Sequence, residues 1–336
     1  MAIMKGKYSK LSVIILLLVM LLSLAACQGG GLRRGGRDVQ PYNFHTGSQG
    51  MQLRFLQGSP PPRIYNGDPL TLVLEQSNKG AVDVTDGRIY ISGYDQYYVN
   101  FDAASSPDGT SFSADGKNEF NPDGLIADII EFKDPAVNMP PDVDVFKQTF
   151  KATACYRYTT EASASVCIDP DPFSINPQDK VCTGHDVSLG TQGAPVAVNS
   201  IQQEGARDRI QFKISLSNVG TGTVIESRNG ISPINRCHAD LQRDQIDKVE
   251  LRAQVANSFL DCKPTLVRLN GGRGFSFCTL FLNQLQQDEA FETVMNVYLD
   301  YGYRDSIATS VDIVRLPGEE DDRLNRPFFE DRGRFR

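Results

Sequence analysis

The 336-residue sequence contains no tryptophan, six methionines and three histidines. With so few imidazoles, a histidine-based triad or zinc centre would have to draw on His45, His185 or His238. His45 belongs to a Gly/Arg-rich stretch, His185 to a segment joining two strand-rich regions, and His238 to a polar insertion beside Cys237. Each reads as a surface residue. No Gly-x-Ser-x-Gly elbow, phosphate loop, dinucleotide fingerprint or His-Glu-x-x-His is present. No cysteine pair has Cys-x-x-Cys spacing, and Gly271-Gly272-Arg273-Gly274 fits a hairpin turn better than a phosphate cradle. Net positive charge is missing as well: the formal charge is -7. This argues against a nucleic-acid partner, because such binding depends on cationic contacts to phosphate. Long amphipathic helical stripes are absent after residue 27, while 29 glycines and 18 prolines accompany abundant Ser, Thr and Val. That mix predicts short strands and tight turns. Neither a metal nor a cofactor is expected.

What is present begins with a leader. Lys5, Lys7 and Lys10 precede an uncharged, mostly apolar run from Leu11 to Ala26 that ends in Leu24-Ala25-Ala26-Cys27. A positive n-region, a short apolar core and small residues before a cut mark a secretory signal. The run is shorter than the roughly 20 residues that span a bilayer. Its end resembles the bacterial lipobox, which implies that Cys27 is diacylated (a diacylglycerol, with palmitate-type chains) and becomes the first mature residue. Two acyl chains anchor stably. The expectation is a lipid-anchored protein on the extracytoplasmic face of a cell membrane. Removing residues 1–26 takes away three lysines and makes the mature chain more acidic by the same number. Residues 27–50 read as a flexible stalk and 318–336 as a disordered, charged tail.

Between stalk and tail, two regions look alike. Leu70-Thr71-Leu72-Val73-Leu74-Glu75-Gln76-Ser77-Asn78-Lys79-Gly80 alternates and then turns, as does Ile210-Gln211-Phe212-Lys213-Ile214-Ser215-Leu216-Ser217-Asn218-Val219-Gly220. Both end in Ser-Asn-x-Gly, where Asn and Gly are expected to supply positive-φ turn positions. Further on, residues 155–168 align with 300–313, and five of the fourteen pairs are identical: Tyr156/Tyr301, Tyr158/Tyr303, Ser165/Ser310, Val166/Val311 and Ile168/Ile313. Ordered similarity at two places predicts a tandem duplication. Phe150, Ala152, Ala154 and Tyr156 share one face, and Ala162, Ala164, Val166 and Ile168 share another stripe. A hairpin turning near Glu161 is expected from these arms. Val249, Leu251, Ala253 and Val255 form one stripe of the second region. Met295, Val297, Leu299 and Tyr301 form another, answered by Ile307, Thr309, Val311 and Ile313.

The predicted fold is all-β: two tandem immunoglobulin-like β-sandwiches over 51–172 and 200–317, joined by a linker at 173–199. The repeated strand end on an exported chain resembles the CARDB-type and related immunoglobulin-like adhesion modules of archaeal and bacterial envelope proteins. The resemblance covers about residues 53–168 and 200–316 and implies a binding or spacer module.

Six cysteines remain once Cys27 is assigned to lipid, and an even number in an exported chain predicts a disulfide framework. Cys155 and Cys167 lie equidistant from residue 161, and Cys262 and Cys278 from residue 270. Two cross-hairpin bridges are therefore expected, with Cys182–Cys237 left by subtraction. Asp108-Gly109, Asp115-Gly116 and Asp123-Gly124 read as turns. The aromatic run around Tyr94, Tyr97 and Tyr98 is the expected contact surface. Together these features predict a non-enzymatic binding, adhesion or envelope-assembly protein with a protein or polysaccharide partner. A carboxylate-dependent hydrolase is the alternative. A solute-binding lipoprotein ranks below it, because alternating strands and helices are missing.

Overall fold

In the computed structural model, the described residues are 43–101, 109–124, 126–174, 180–227, 235, 237–284 and 289–316. The leader, Cys27, the stalk up to residue 42, Asp108 and the tail lie outside them. No helix of the described residues is long and apolar enough to cross a membrane.

The first half of the chain forms β1 (Met51–Phe55), β2 (Arg63–Tyr65), β3 (Leu70–Asn78), β4 (Val84–Ser92), β5 (Thr110–Ala114), β6 (Ile126–Asp134) and β7 (Val145–Ile168). The second forms β8 (Val187–Ser188), β9 (Val196–Gly205), β10 (Arg209–Asn218), β11 (Thr223–Ile225), β12 (Lys248–Val255), β13 (Ser258–Phe259), β14 (Asp261–Lys263), β15 (Leu266–Arg268), β16 (Arg273–Phe281) and β17 (Phe291–Val314). The fold is all-β, as the alternation predicts. Ile210, Phe212, Ile214 and Leu216 of β10 are buried on one face, as are Leu70, Leu72 and Leu74 of β3.

Three sheets result. A small front sheet has the order β1-β3-β6, and a second front sheet the order β14-β16-β10-β9-β8. The third runs β13-β12-β17-β7-β4-β5, with β2 and β11 paired to β17 and β15 to β12. This back sheet is common to both front sheets. Its centre is one antiparallel pair of 24-residue strands, in register from Phe291↔Ile168 to Val314↔Val145.

The hairpin expected at Glu161 is absent. Residues 145–168 form one uninterrupted strand, in which Glu161 pairs with Tyr298 of β17. Cys155 and Cys167 therefore lie roughly 40 Å apart at strand rise, far beyond disulfide reach. Residues 291–314 are likewise one strand, so its two stripes belong to a single face pattern. Both long strands serve both halves. β4 pairs with residues 151–156 of β7, and Thr160 farther along β7 bonds to Val196 of β9. β12 pairs with residues 295–300 of β17, and β2 with its far end at 312–314. Residues 192–198, within the expected linker, are buried, and the last three of them already belong to β9. One hydrophobic cluster runs from Leu72, Phe132 and Phe150 through to Phe212, Leu251 and Leu280.

The duplication appears as a two-fold relation about the Arg157↔Gly302 pair, on either side of which Tyr156 faces Tyr303 and Tyr158 faces Tyr301. The four rings are buried with neighbouring centroids 5.8–6.3 Å apart. Their hydroxyls fasten the front sheets. Tyr156 accepts from the N–H of Met51 at 3.0 Å, and Tyr301 accepts from the N–H of Val196 at 3.2 Å. Tyr158 accepts from Val82 N–H at 3.1 Å, and Tyr303 from Gly222 N–H at 2.8 Å. Here lies the reason for Ser-Asn-x-Gly. Gly80 and Gly220 are not at positive φ. A Cβ on Gly80 would collide with the Tyr158 hydroxyl, and one on Gly220 with that of Tyr303. The asparagines bridge the turn: Asn78 Nδ2 donates to Val82 O at 2.8 Å, and Asn218 Nδ2 to Gly222 O at 2.9 Å.

Candidate functional site

Three disulfides are present, and two pairings differ from those expected. Cys262–Cys278 forms as the spacing suggested, between residues directly opposite on β14 and β16 with Cα atoms 3.9 Å apart. Cys155 instead joins Cys237, and Cys167 joins Cys182. Parity along β7 does point both cysteines out of the sandwich, yet both are fully buried. The insertion after β11 covers Cys155 in a small cluster with Tyr90, Ile225 and Cys237, and Arg304 donates to the Cys237 carbonyl at 2.9 Å. Cys182 is brought against Cys167, and two residues before it Lys180 forms a largely buried ion pair with Asp169 at 2.6 Å. Bridges of this number fit an oxidising, extracytoplasmic compartment.

The expected tyrosine surface is divided. Tyr94 is half-buried against Phe101 and Phe150, with ring centroids 5.0 and 5.9 Å away. Tyr98 packs edge-on against Phe146, and only Tyr97 projects, at 78% exposure. His45 is exposed beside Phe44, His185 is exposed and bonded to the Thr183 carbonyl, and His238 stacks on Tyr90 at 4.1 Å. Gly109 and Gly124 sit at positive φ, as turn glycines do. No group of three or more His, Cys, Asp or Glu among the described residues is placed to hold a metal.

A different surface stands out on the outer face of the larger front sheet. Strand alternation sends Phe275, Phe277 and Phe281 of β16 outward, and they are 50%, 37% and 37% exposed. Phe275 and Phe277 meet edge-to-face at 5.5 Å, and Lys213 Nζ of β10 lies 5.3 Å from the Phe275 centroid. Beside them runs an open groove of about 810 Å³. One wall is the crossing from β14 to β15, with Pro264, Leu266 and Val267; short polar side chains, Asn199, Ser215, Ser217 and Asn270, line the rest. Its charged residues are all cations: Lys213, Arg268 and Arg273. None of the three forms an ion pair among the described residues. Gly271 and Gly272, at φ +58° and +76°, make the turn that brings Arg273 back over the sheet. The sequence holds this alternation in full, but the Phe275-x-Phe277 pair is missed when the eye follows only inward stripes.

A second depression of about 290 Å³ opens between the two front sheets, and Asp305 lines it. Burial pushes the Asp305 carboxyl above the ordinary carboxylate range, against a smaller lowering by the Ser306 N–H.

No family model and no curated protein matches this chain. Among solved structures, one similar to it is the C-terminal globular domain of an oligosaccharyltransferase from Pyrococcus abyssi, at 10% identity and a TM-score of 0.21. The match covers 75% of this chain and 45% of that one.

Proposed function

We propose that this is a lipid-anchored, extracytoplasmic, non-enzymatic binding protein, and that its ligand is an acidic glycan held on the outer face of the larger front sheet. The observation that carries the reading is the groove beside Phe275, whose charged lining is purely cationic in a chain of net charge -7. Exposed phenylalanines in a row cost solvation and mark contact surfaces. The chemistry favours a sugar acid. Asn199, Asn270, Ser215 and Ser217 suit hydroxyl groups, Phe275 offers a ring face, and Lys213, Arg268 and Arg273 suit carboxylates. A peptide partner more often adds to a sheet edge than to a sheet face.

The lipobox-like end at Cys27 supports anchoring, and the three disulfides support the compartment. The resemblance to envelope adhesion modules agrees with a recognition role. Titration calorimetry with a uronic-acid oligosaccharide and its neutral counterpart tests the ligand. Affinity for the acidic chain should fall with salt. It should also drop about tenfold or more in Lys213→Ala with Arg273→Ala, one charge-assisted contact being worth that much, and it should fall in Phe275→Ala, which removes the ring face. Equal affinity for both oligosaccharides would refute the acidic-glycan assignment. The anchoring reading fails if Cys27→Ala still fractionates with membranes as a chain of mature size.

A further inference from the structure

The two-fold relation breaks in the interior at Thr160 and Asp305, which are related as Tyr158 is to Tyr303. On one side Thr160 is buried. Its hydroxyl donates to the Val196 carbonyl at 2.6 Å and lies 2.9 Å from the Tyr301 hydroxyl, so the back sheet is closed against β9. On the other side stands a carboxylate. Asp305 lies between Tyr303 and Ile307 on β17 and faces the crevice between the front sheets. The walls come from Ser48–Leu53 of one front sheet and from Pro195 and Val219–Thr221 of the other. Asp305 Oδ1 accepts the N–H of Ser306 at 2.8 Å, and Asp305 forms no ion pair among the described residues. Among the described residues no lysine, arginine or histidine lines the crevice, and Tyr303 is the other titratable group there.

We propose that this crevice is a binding site for a primary alkylammonium group, held by Asp305 among the neutral polar groups that line it. A half-buried carboxylate without a counter-ion gains most from a cation that also donates hydrogen bonds. An ammonium carries three donors, matching one carboxylate among neutral acceptors. A divalent metal would want several oxygen ligands of higher charge. Leu53, Val219 and Ile307 provide apolar wall for a short carbon chain, and the volume suits a small molecule or one side chain. The group can come from a free amine or from a lysine of a partner. The difference between Thr160 and Asp305 means that the duplication kept the scaffold and opened one of two related positions.

Calorimetry on the full-length protein at pH 7 and constant ionic strength tests this, using n-butylammonium, tetraethylammonium (which has no N–H) and Nα-acetyl-lysine amide. Saturable binding of n-butylammonium is expected, with tetraethylammonium bound at least about tenfold more weakly. Asp305→Asn should weaken the amine by a similar factor while leaving the circular dichroism unchanged. Binding of the lysine amide as tight as that of n-butylammonium assigns the site to a partner's lysine, and weaker binding assigns it to a free amine. Asp305→Thr, which restores the residue of the related position, should abolish binding and raise Tm without ligand. If either variant fails to fold, the wild-type pH dependence decides: affinity must fall as acid protonates Asp305. Unaltered affinity in Asp305→Asn, equal binding of tetraethylammonium, or no saturable binding in the millimolar range overturns the proposal.

Discussion

Tyrosine hydroxyls inside the back sheet do the work that turn residues were expected to do. Tyr158 and Tyr303 each accept the backbone N–H that lies four residues after a repeated asparagine, and each requires a glycine beside it. Burial pushes the phenols of Tyr158 and Tyr303 up to about 12, and those of Tyr156 and Tyr301 further up. A folded-state value above the unfolded one means that the unfolded chain loses its proton first. The stabilisation is therefore complete below pH 10 and is lost as pH rises toward 12 and beyond. An alkaline titration should show phenolate absorbance from these four only together with the loss of β-sheet circular dichroism. Ionisation of all tyrosines near pH 10 with the sheet intact would contradict the burial argument. Tyr158→Phe, which leaves the N–H of Val82 without its acceptor, should cost about 1–3 kcal/mol in urea unfolding.

At the scale of the element, the two long strands decide which cysteines meet. Cys155 and Cys167 face outward from β7 and take partners from the segments that cross over them. Non-reducing peptide mapping should return Cys155–Cys237, Cys167–Cys182 and Cys262–Cys278, and a Cys155–Cys167 peptide would rule out an unbroken β7. The bridges should also differ in weight. Cys155–Cys237 closes 82 residues and Cys167–Cys182 closes 15. In the chain-entropy model the longer loop is worth about 1.5 kcal/mol more. Replacing Cys155 and Cys237 together by Ser should lower stability by more than replacing Cys167 and Cys182.

At the scale of the molecule, the duplicated halves share their central sheet. Each half lends the far end of its long strand to the other, so cutting between residues 172 and 180 leaves two fragments with exposed inner faces. Full-length protein should unfold in urea as a single transition for the described body. Residues 43–172 and 180–316 expressed separately should be unfolded or aggregated. A soluble half with a cooperative transition of its own would show that the shared strands are dispensable.

The all-β class, the inward stripes, the internal repeat and an even set of cysteines after Cys27 were legible from residue order, because each is a local periodicity or a count. The course of the chain at Glu161 was not. The inward positions on either side of it, such as Phe150 and Tyr156 before and Ala162 and Ile168 after, have the same parity. A strand that runs straight on and a hairpin that folds back therefore leave the same alternating pattern. The disulfide partners depended on that course. The crevice at Asp305 depended on it too, since its walls come from residues 48–53, 195, 219–221 and 303–307, whereas the groove beside Phe275 needed only the packing of β9, β10, β15 and β16 within the second half. Only the tertiary structure, by bringing β7 against β17 along 24 residues, decided between one shared sheet and two separate sandwiches.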